Sequence, residues 1–113
     1  MPFIDSKITL KVSEEKREAV KTRLGQDISI LGKSERYLMV GFEDEYCLYM
    51  AGNKLEKGAY VAVRLFGQAS SDAYDKLTGA ICRTFEEELG IPVANVYVTY
   101  IGISDWGWNG GNF

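Results

Sequence analysis

One stretch decides the fold: residues 60–90, YVAVRLFGQASSDAYDKLTGAICRTFEEELG. Residues 60–66 have the apolar and aromatic composition of a β-strand. Ser71 is a candidate helix N-cap, and Asp72 follows it in the positively polarised first turn. Gly90 ends the helix as a C-cap glycine does. Between the two ends, apolar residues recur at helical spacing: Ala73, Leu77, Ile81, Phe85 and Leu89.

The same pattern stands earlier in the chain, because Gly32 precedes Gly90 by 58 positions. Residues 2–8 are a predicted strand, Ser13 is a candidate N-cap, and Gly32 is the matching C-cap. The apolar stripe of this first helix is Val20, Leu24, Ile28 and Leu31. Each helix is followed by a further predicted strand, residues 37–43 and 95–101. The alternative is a chance agreement of two common patterns, but the match of both helix ends favours a repeat.

Two β-α-β units predict an α+β (α/β) fold in which one four-stranded mixed sheet carries both helices on one face. The opposite face is left uncovered, and its mixture of aromatic, sulfur and polar groups favours burial against other copies of the chain. Residues 46–51 could add an edge strand, which proteins usually protect by pairing. The residues expected on the uncovered face are Tyr37, Met39, Tyr60, Arg64, Tyr97 and Thr99.

Composition restricts the class of protein. The 113 residues predict one domain, residues 1–113, with pseudo-repeats at about 2–43 and 60–101, and 46% of them are hydrophobic. The net charge is −3 and no basic stripe is present, which argues against nucleic acid as a partner. No apolar run reaches the ~18 residues of a membrane span, and no signal-peptide pattern opens the chain. We therefore expect a cytoplasmic protein; export by a non-classical route is the alternative.

Several kinds of chemistry are excluded because the chain has no histidine. Ser-His-Asp and Cys-His catalysis and histidine-based metal sites all require it. Cys47 and Cys82 do not form a CxxC pair and are expected to be free, buried thiols. Chemistry must therefore come from carboxylates, Lys, Arg, Tyr or a terminal amine.

Pro2 offers an unusual group of this kind. If Met1 is removed, the ring nitrogen of Pro2 becomes a secondary amine at the N-terminus. A chain amine titrates near pKa ~7.7–8.0, and both burial and a neighbouring cation lower its pKa. Taken alone, Pro2 is better explained as an accident of the start site, with a frayed terminus.

The C-terminal tail, residues 104–113, is rich in glycine and asparagine and favours turns over a helix. It also carries Trp106, Trp108 and Phe113. Such aromatic side chains are expected to dock on their own core, across a subunit boundary or along a pocket.

Taken together, these features resemble the macrophage migration inhibitory factor (MIF) family of the tautomerase superfamily. The resemblance spans essentially the whole chain. It implies doubled β-α-β units assembled as a homotrimer, with no cofactor and no metal. The residues that carry it are Pro2-Phe3-Ile4, Gly32-Lys33, Val96-Tyr97-Val98, Gly107-Trp108-Asn109 and the terminal Phe113.

The resemblance also implies the roles of site residues. Pro2 is the general base, Lys33 binds the substrate carboxylate, and a backbone N–H at about Phe66 holds the same ligand. Tyr97 corresponds to an aromatic residue supplied by the neighbouring subunit. Without the resemblance, Lys33 reads as a solvated lysine after a helix C-terminus, and Tyr97 could donate a hydrogen bond or merely pack. The tail residues expected beside the pocket are Trp106, Trp108 and Phe113.

The implied function is keto–enol tautomerisation of a small aromatic keto acid, of the phenylpyruvate type. Such a reaction needs a base whose pKa lies near the working pH. Two alternatives belong to other classes. One is a secreted cytokine mimic that binds a host receptor and keeps a vestigial activity, and the other is an inactive trimeric scaffold. Thr99 and Trp106 depart from the residues usual in the family, which bears on substrate preference.

Overall fold

The computed structural model describes residues 1–113 as a sheet with helices against one side. Short 3₁₀ turns at Ile28–Leu31, Glu35–Tyr37 and Val93–Asn95 join the longer elements. The strands are β1 (Pro2–Ile8), β2 (Met39–Glu43), β3 (Tyr49–Met50), β4 (Asn53–Lys54), β5 (Ala59–Phe66), β6 (Val96–Ile103), β7 (Gly107–Trp108) and β8 (Gly111–Asn112), and the helices are α1 (Glu14–Asp27) and α2 (Ser71–Leu89).

The main sheet has the strand order β2-β1-β5-β6. Each β-α-β unit contributes a parallel pair, β1 with β2 and β5 with β6. The two units meet through β1 and β5, which run antiparallel. The expected four-stranded mixed sheet is therefore confirmed.

Both helices cover the same face of this sheet, as predicted. Alternate residues of the central strands, such as Ile4 and Val63, point to that face and are fully buried. They share one apolar cluster with Leu24 of α1 and Phe85 of α2. The apolar stripes therefore form the core that holds the two units together. None of the helices is long and apolar enough to cross a lipid bilayer.

The helix ends follow the sequence signals with one correction. The Oγ atoms of Ser13 and Ser70 accept hydrogen bonds from the backbone N–H groups of Lys16 and Ala73, at 3.2 and 3.1 Å. The second cap is thus Ser70 and not Ser71, because Ser70 has the extended backbone that a cap needs while Ser71 is already helical. Gly32 and Gly90 adopt left-handed backbone, at φ 73° and 67°. They end the 3₁₀ extension of α1 and the helix α2 respectively.

The uncovered face is largely as expected. Strand register places five of its six predicted residues together, on the side of Phe3. Tyr37 is the exception: it ends a 3₁₀ turn because β2 begins only at Met39. Large apolar side chains remain open here, with Met39, Tyr97 and Ile101 exposed to 69%, 63% and 52%.

Residues 46–51 do not extend the main sheet. Tyr49–Met50 instead pairs with Asn53–Lys54 as a separate hairpin, since Ala51 and Gly52 turn the chain with positive φ. Cys47 lies exposed beside this hairpin and Cys82 is half-buried, so the expectation of two buried thiols was wrong.

Candidate active site

Pro2 opens strand β1 at the edge of the core. It pairs with Leu65 in the antiparallel ladder, so the start of β1 lies beside the end of β5. A proline fits the first position of a strand because it has no N–H to donate to a neighbour. Pro2 is buried in the chain that carries Met1.

Three of the predicted site residues converge where the start of β1 lies beside the end of β5, which forms a corner of the sheet. The N–H of Phe66 donates to the carbonyl oxygen of Met1 at 2.9 Å. The Nζ atom of Lys33 donates to the carbonyl oxygen of Phe66, also at 2.9 Å. Lys33 reaches this point because left-handed Gly32 turns the chain back after the first helix. Pro2, Lys33 and Phe66 therefore form one local cluster.

The cluster changes the basicity of the chain amine. Burial, and secondly the positive charge of Lys33, lower the pKa of the Met1 amine from its ordinary value. Both causes disfavour the charged form of an amine. An amine carried by Pro2 in this corner would be exposed to the same two influences.

A cleft of about 630 Å³ opens beside Pro2. Its walls are mainly apolar and aromatic, with Arg36 and Asp105 as the charged residues. Trp106 and Trp108 of the tail line it. Lys33 and Phe66 belong to the same corner but are not among the lining residues of the cleft while Met1 is attached. The walls are Met1, Pro2, Phe3, Arg36, Tyr37, Leu38, Met39, Ile103, Asp105, Trp106, Gly107 and Trp108.

The tail reaches the site through a tight hairpin. Strands β7 and β8 are joined by Asn109 and Gly110, both with positive φ, as a two-residue hairpin turn requires. The turn brings the ring of Phe113 to 5.4 Å from that of Phe66 and 6.3 Å from that of Trp108, between centroids. The tail is therefore docked on its own chain, with Trp106 and Trp108 along the cleft and Phe113 outside its lining.

Tyr97 lies away from this corner. In the strand register Pro2 aligns with Leu65, and Leu65 aligns with Gly102 of β6. Tyr97 lies near the start of β6, so its distance from the level of Pro2 is the length of strand between Tyr97 and Gly102. At ~3.3 Å per residue that span is about 16 Å. Tyr97 instead borders a second, smaller cavity of about 210 Å³ beside the β3–β4 hairpin. Within one chain it cannot contact a ligand bound at Pro2.

Among the wall residues, Arg36 was not identified from the sequence, and Tyr37 was predicted only for the uncovered sheet face. A usable signal did exist in the strand register. Because β1 and β2 are parallel and Phe3 pairs with Met39, the residues just before Met39 must lie beside the residues just before Phe3. Of residues 35–38, Arg36, Tyr37 and Leu38 line the cleft with Pro2, whereas the Glu35 side chain lies against Gly25 of α1. Asp105 was missed for a different reason, since no pattern in the tail marks it.

Comparison with known proteins rests on structure. No family model matches the sequence, and no curated protein matches it. The crystal structure of Leishmania major MIF2 matches with a TM-score of 0.94 and 30% identity, over 100% of this chain and 97% of that one. A likeness of this extent and identity shows the family as well as the fold.

Other neighbours share the fold at lower identity. Macrophage migration inhibitory factor of Toxoplasma gondii matches with a TM-score of 0.91 and 21% identity, over 98% of this chain and 99% of that one. A protein called Pt0534, solved after inactivation by 2-oxo-3-pentynoate, matches with a TM-score of 0.85 and 20% identity, over 96% of this chain and 93% of that one.

Proposed function

The chain belongs to the macrophage migration inhibitory factor family of the tautomerase superfamily, and from this premise we propose that it is a keto–enol tautomerase of small aromatic 2-oxo acids. Phenylpyruvate is the model substrate. The observation that carries the proposal is the meeting of Pro2, Lys33 and the Phe66 amide beside an apolar cleft. No other corner of the chain joins a chain-end nitrogen, a lysine and a substrate-sized opening.

The base is the ring nitrogen of Pro2 after removal of Met1. While Met1 is attached, that nitrogen is part of an amide and has no basic lone pair. Removal of Met1 would also take away the carbonyl that now occupies the Phe66 N–H. Removal of Met1 would thus create the basic Pro2 nitrogen and also free the Phe66 N–H next to it.

The reaction moves one proton. The neutral Pro2 nitrogen takes a proton from C3 of the 2-oxo acid, and the electrons of that C–H bond form the C2=C3 double bond. Negative charge collects on the C2 oxygen, where the Phe66 N–H and the Lys33 ammonium favour it. The protonated nitrogen then delivers the same proton to that oxygen, which gives the enol. The reverse sequence converts enol to keto acid.

A neutral amine in this corner suits that cycle. Burial and the Lys33 charge lower the pKa of an amine here, as they do for Met1. A base of lowered pKa is uncharged at neutral pH and can accept the proton. Apolar walls, including Phe3 and Trp108, would hold the aromatic part of the substrate away from water.

The working form is a homotrimer. The exposed apolar residues of the uncovered sheet face support this part of the proposal, since such a face is usually buried against a partner. Tyr97 would then act at the cleft of a neighbouring copy, because it cannot contact the cleft of its own chain. The proposed compartment is the cytoplasm.

The deciding experiment compares the chain beginning at Pro2 with its Pro2→Gly variant. Intact mass establishes that both proteins lack Met1, and circular dichroism that both are folded. We expect kcat/KM for phenylpyruvate to fall by about 100-fold or more, the usual contribution of a positioned base. Equal turnover by the two proteins would rule out Pro2 as the base.

A further inference from the structure

Phe3 is a cleft wall whose ring rests on a glycine of the neighbouring strand. It lines the cleft beside Pro2 and is half-buried. A methyl group at Gly41 of β2 would lie 3.3 Å from the Cε1 atom and 3.4 Å from the Cζ atom of the Phe3 ring. Both distances are shorter than the ~3.5–4.0 Å at which carbon atoms pack best. The outer edge of the ring therefore fills space that only a residue without a side chain leaves free.

The strand register shows in which direction this ring leans. Phe3 pairs with Met39, whereas Gly41 pairs with Asp5, two residues further along β1. Met39 and the three residues before it line the cleft, and Gly41 does not. The Phe3 ring therefore leans along the sheet away from the cleft, and Gly41 is the position that accepts it.

A glycine here has an explanation in stability alone. Glycine weakens a strand, and β2 lies at the edge of the main sheet, where an aromatic ring from a neighbouring strand can cover the gap. Yet the backbone of Gly41 does not have the positive φ that demands glycine, so the limit on a larger residue is the ring itself. Because that ring is also a wall of the cleft, its position sets the space that a ligand finds.

The ring has few other places to go. The χ1 angle of a side chain is restricted to three staggered positions. On the side of β5, Phe3 pairs with Arg64, whose side chain stands on the same face of the sheet. A ring displaced from Gly41 thus meets Arg64 on one side and the open cleft on the other. The cleft is the direction that offers room.

We propose that Gly41 is a specificity-determining position, because it seats the Phe3 ring and so keeps the cleft wide enough for the aromatic group of a 2-oxo acid. The inference rests on the proposed tautomerase function and adds to it a residue outside the cleft lining. Gly41 acts through Phe3 and is a positioning residue. A side chain at this position pushes the ring into the cleft and excludes a bulky substrate, while the base at Pro2 stays in place.

The test compares Gly41→Leu and Gly41→Ala with the wild type, all in the chain that begins at Pro2. Exchange of the C3 hydrogens with D2O, followed by NMR, measures turnover of phenylpyruvate and of 2-oxobutanoate, which has a methyl group in place of the phenyl ring. Gly41→Leu should lower the ratio of kcat/KM for phenylpyruvate to that for 2-oxobutanoate by about 10-fold or more, through KM for phenylpyruvate. Gly41→Ala should lower the ratio less, since the ring must give by only a few tenths of an ångström.

The Phe3→Ala background separates action through the ring from a general effect. Without the ring, Gly41→Leu should change the ratio little, because coupled residues are not additive. Gly79→Ala, in α2 and outside the cleft lining, is the control for a glycine substitution as such. Circular dichroism and sedimentation establish that each variant is folded and has the oligomeric state of the wild type. Gly41→Ala decides the matter if Gly41→Leu does not fold.

An unchanged ratio in the folded Gly41 variants, or an equal fall in the Phe3→Ala background, would overturn the inference and leave the tautomerase intact. A wild-type chain without exchange would instead refute the proposed function. In that case the seat is tested by binding of 3-phenylpropanoate and of butanoate, followed by tryptophan fluorescence. Gly41→Leu should weaken binding of 3-phenylpropanoate alone. Equal affinity of wild type and variant for 3-phenylpropanoate, or no binding to either, would overturn the inference.

Discussion

The main-chain N–H of Phe66 donates a hydrogen bond of 2.9 Å to the carbonyl oxygen of Met1. This contact ties the end of β5 to the residue that precedes β1. It also means that Met1 occupies the donor nearest the base that the proposed reaction needs. Under the proposed function, Met1 thus fills a position that the ligand would take in the processed chain.

We therefore expect a chain that retains Met1 to be inactive and to bind ligands weakly. Its Pro2 nitrogen is an amide, and its Phe66 N–H is already bonded. A cleavable leader allows both forms to be prepared, one that begins at Met1 and one that begins at Pro2. Phenylpyruvate turnover above background by the Met1 form would contradict the expectation.

The alkynyl acid 2-oxo-3-pentynoate gives a second readout of the same point, because its alkyne is conjugated to a ketone and is therefore electrophilic. A free secondary amine can add its N–H across the alkyne, with a new N–C bond and the proton on carbon. Peptide mass mapping should find this adduct on the N-terminal peptide of the Pro2 form alone. An equal adduct on the Met1 form would show that another nucleophile reacts.

The pH dependence of the processed enzyme follows from the corner around the amine. Burial, then the Lys33 charge, lower the pKa of the Met1 amine, and we expect the pKa of the Pro2 amine in the processed chain to be lowered for the same reasons. Only the neutral amine is a base, so kcat/KM should rise with pH through a pKa below the ordinary ~8 and then level off. An acid limb of kcat/KM with its midpoint at or above pH ~8 would contradict this expectation. The unfolded chain binds that proton more strongly, so the free energy of unfolding should also rise with pH over the same interval.

Much of this architecture could be read from the sequence, because its signals are local. Caps, apolar stripes and glycine stops are set within a few residues, and they gave the two β-α-β units and the face that the helices cover. Ser70 and Ser71 show the limit of such local signals. Either serine fits the N-cap pattern of α2, and only the backbone geometry shows that Ser70 is the cap. The cleft was harder to predict. Arg36 and Pro2 line the same cleft because β1 pairs with β2, an arrangement that no single segment encodes.

A pair of glycine substitutions tests how the second helix ends. Gly90 has φ 67°, so Ala at this position would be strained and should lower the free energy of unfolding by about 1–2 kcal/mol. Gly79 lies inside α2, where Ala is the better helix former by about 1 kcal/mol. A methyl group there meets only the movable Arg83 guanidinium, at 3.3 Å. Denaturant unfolding at one protein concentration should therefore show a lower free energy of unfolding for Gly90→Ala and a higher one for Gly79→Ala. Changes of the same sign in both variants would contradict these two roles.

Tyr100 should make the fold sensitive to alkali. Burial raises its pKa to about 12, although the hydrogen bond of its hydroxyl with Thr78 opposes the shift. Because the folded pKa exceeds the unfolded value of ~10, its stabilising contribution is complete below pH 10 and is lost as pH rises toward 12. In Tyr100→Phe, the free energy of unfolding should fall less over that interval. The ultraviolet titration of Tyr100→Phe should also lack the tyrosine that ionises at the highest pH. A titration curve equal to that of the wild type would contradict the assignment.

The uncovered sheet face should set the oligomeric state. Ile101 is 52% exposed there and pairs in register with Arg64, so Ile101→Lys would remove apolar area and place two cations side by side. We expect the wild-type chain to sediment as a trimer at micromolar concentration and Ile101→Lys to sediment as a smaller species. Val93→Lys is the control, because Val93 is also exposed but lies in the turn before β6, off that face. The variant should lose tautomerase activity together with the trimer, since Tyr97 would no longer reach a neighbouring cleft. A monomeric wild type with full activity would show instead that one chain supplies the whole site.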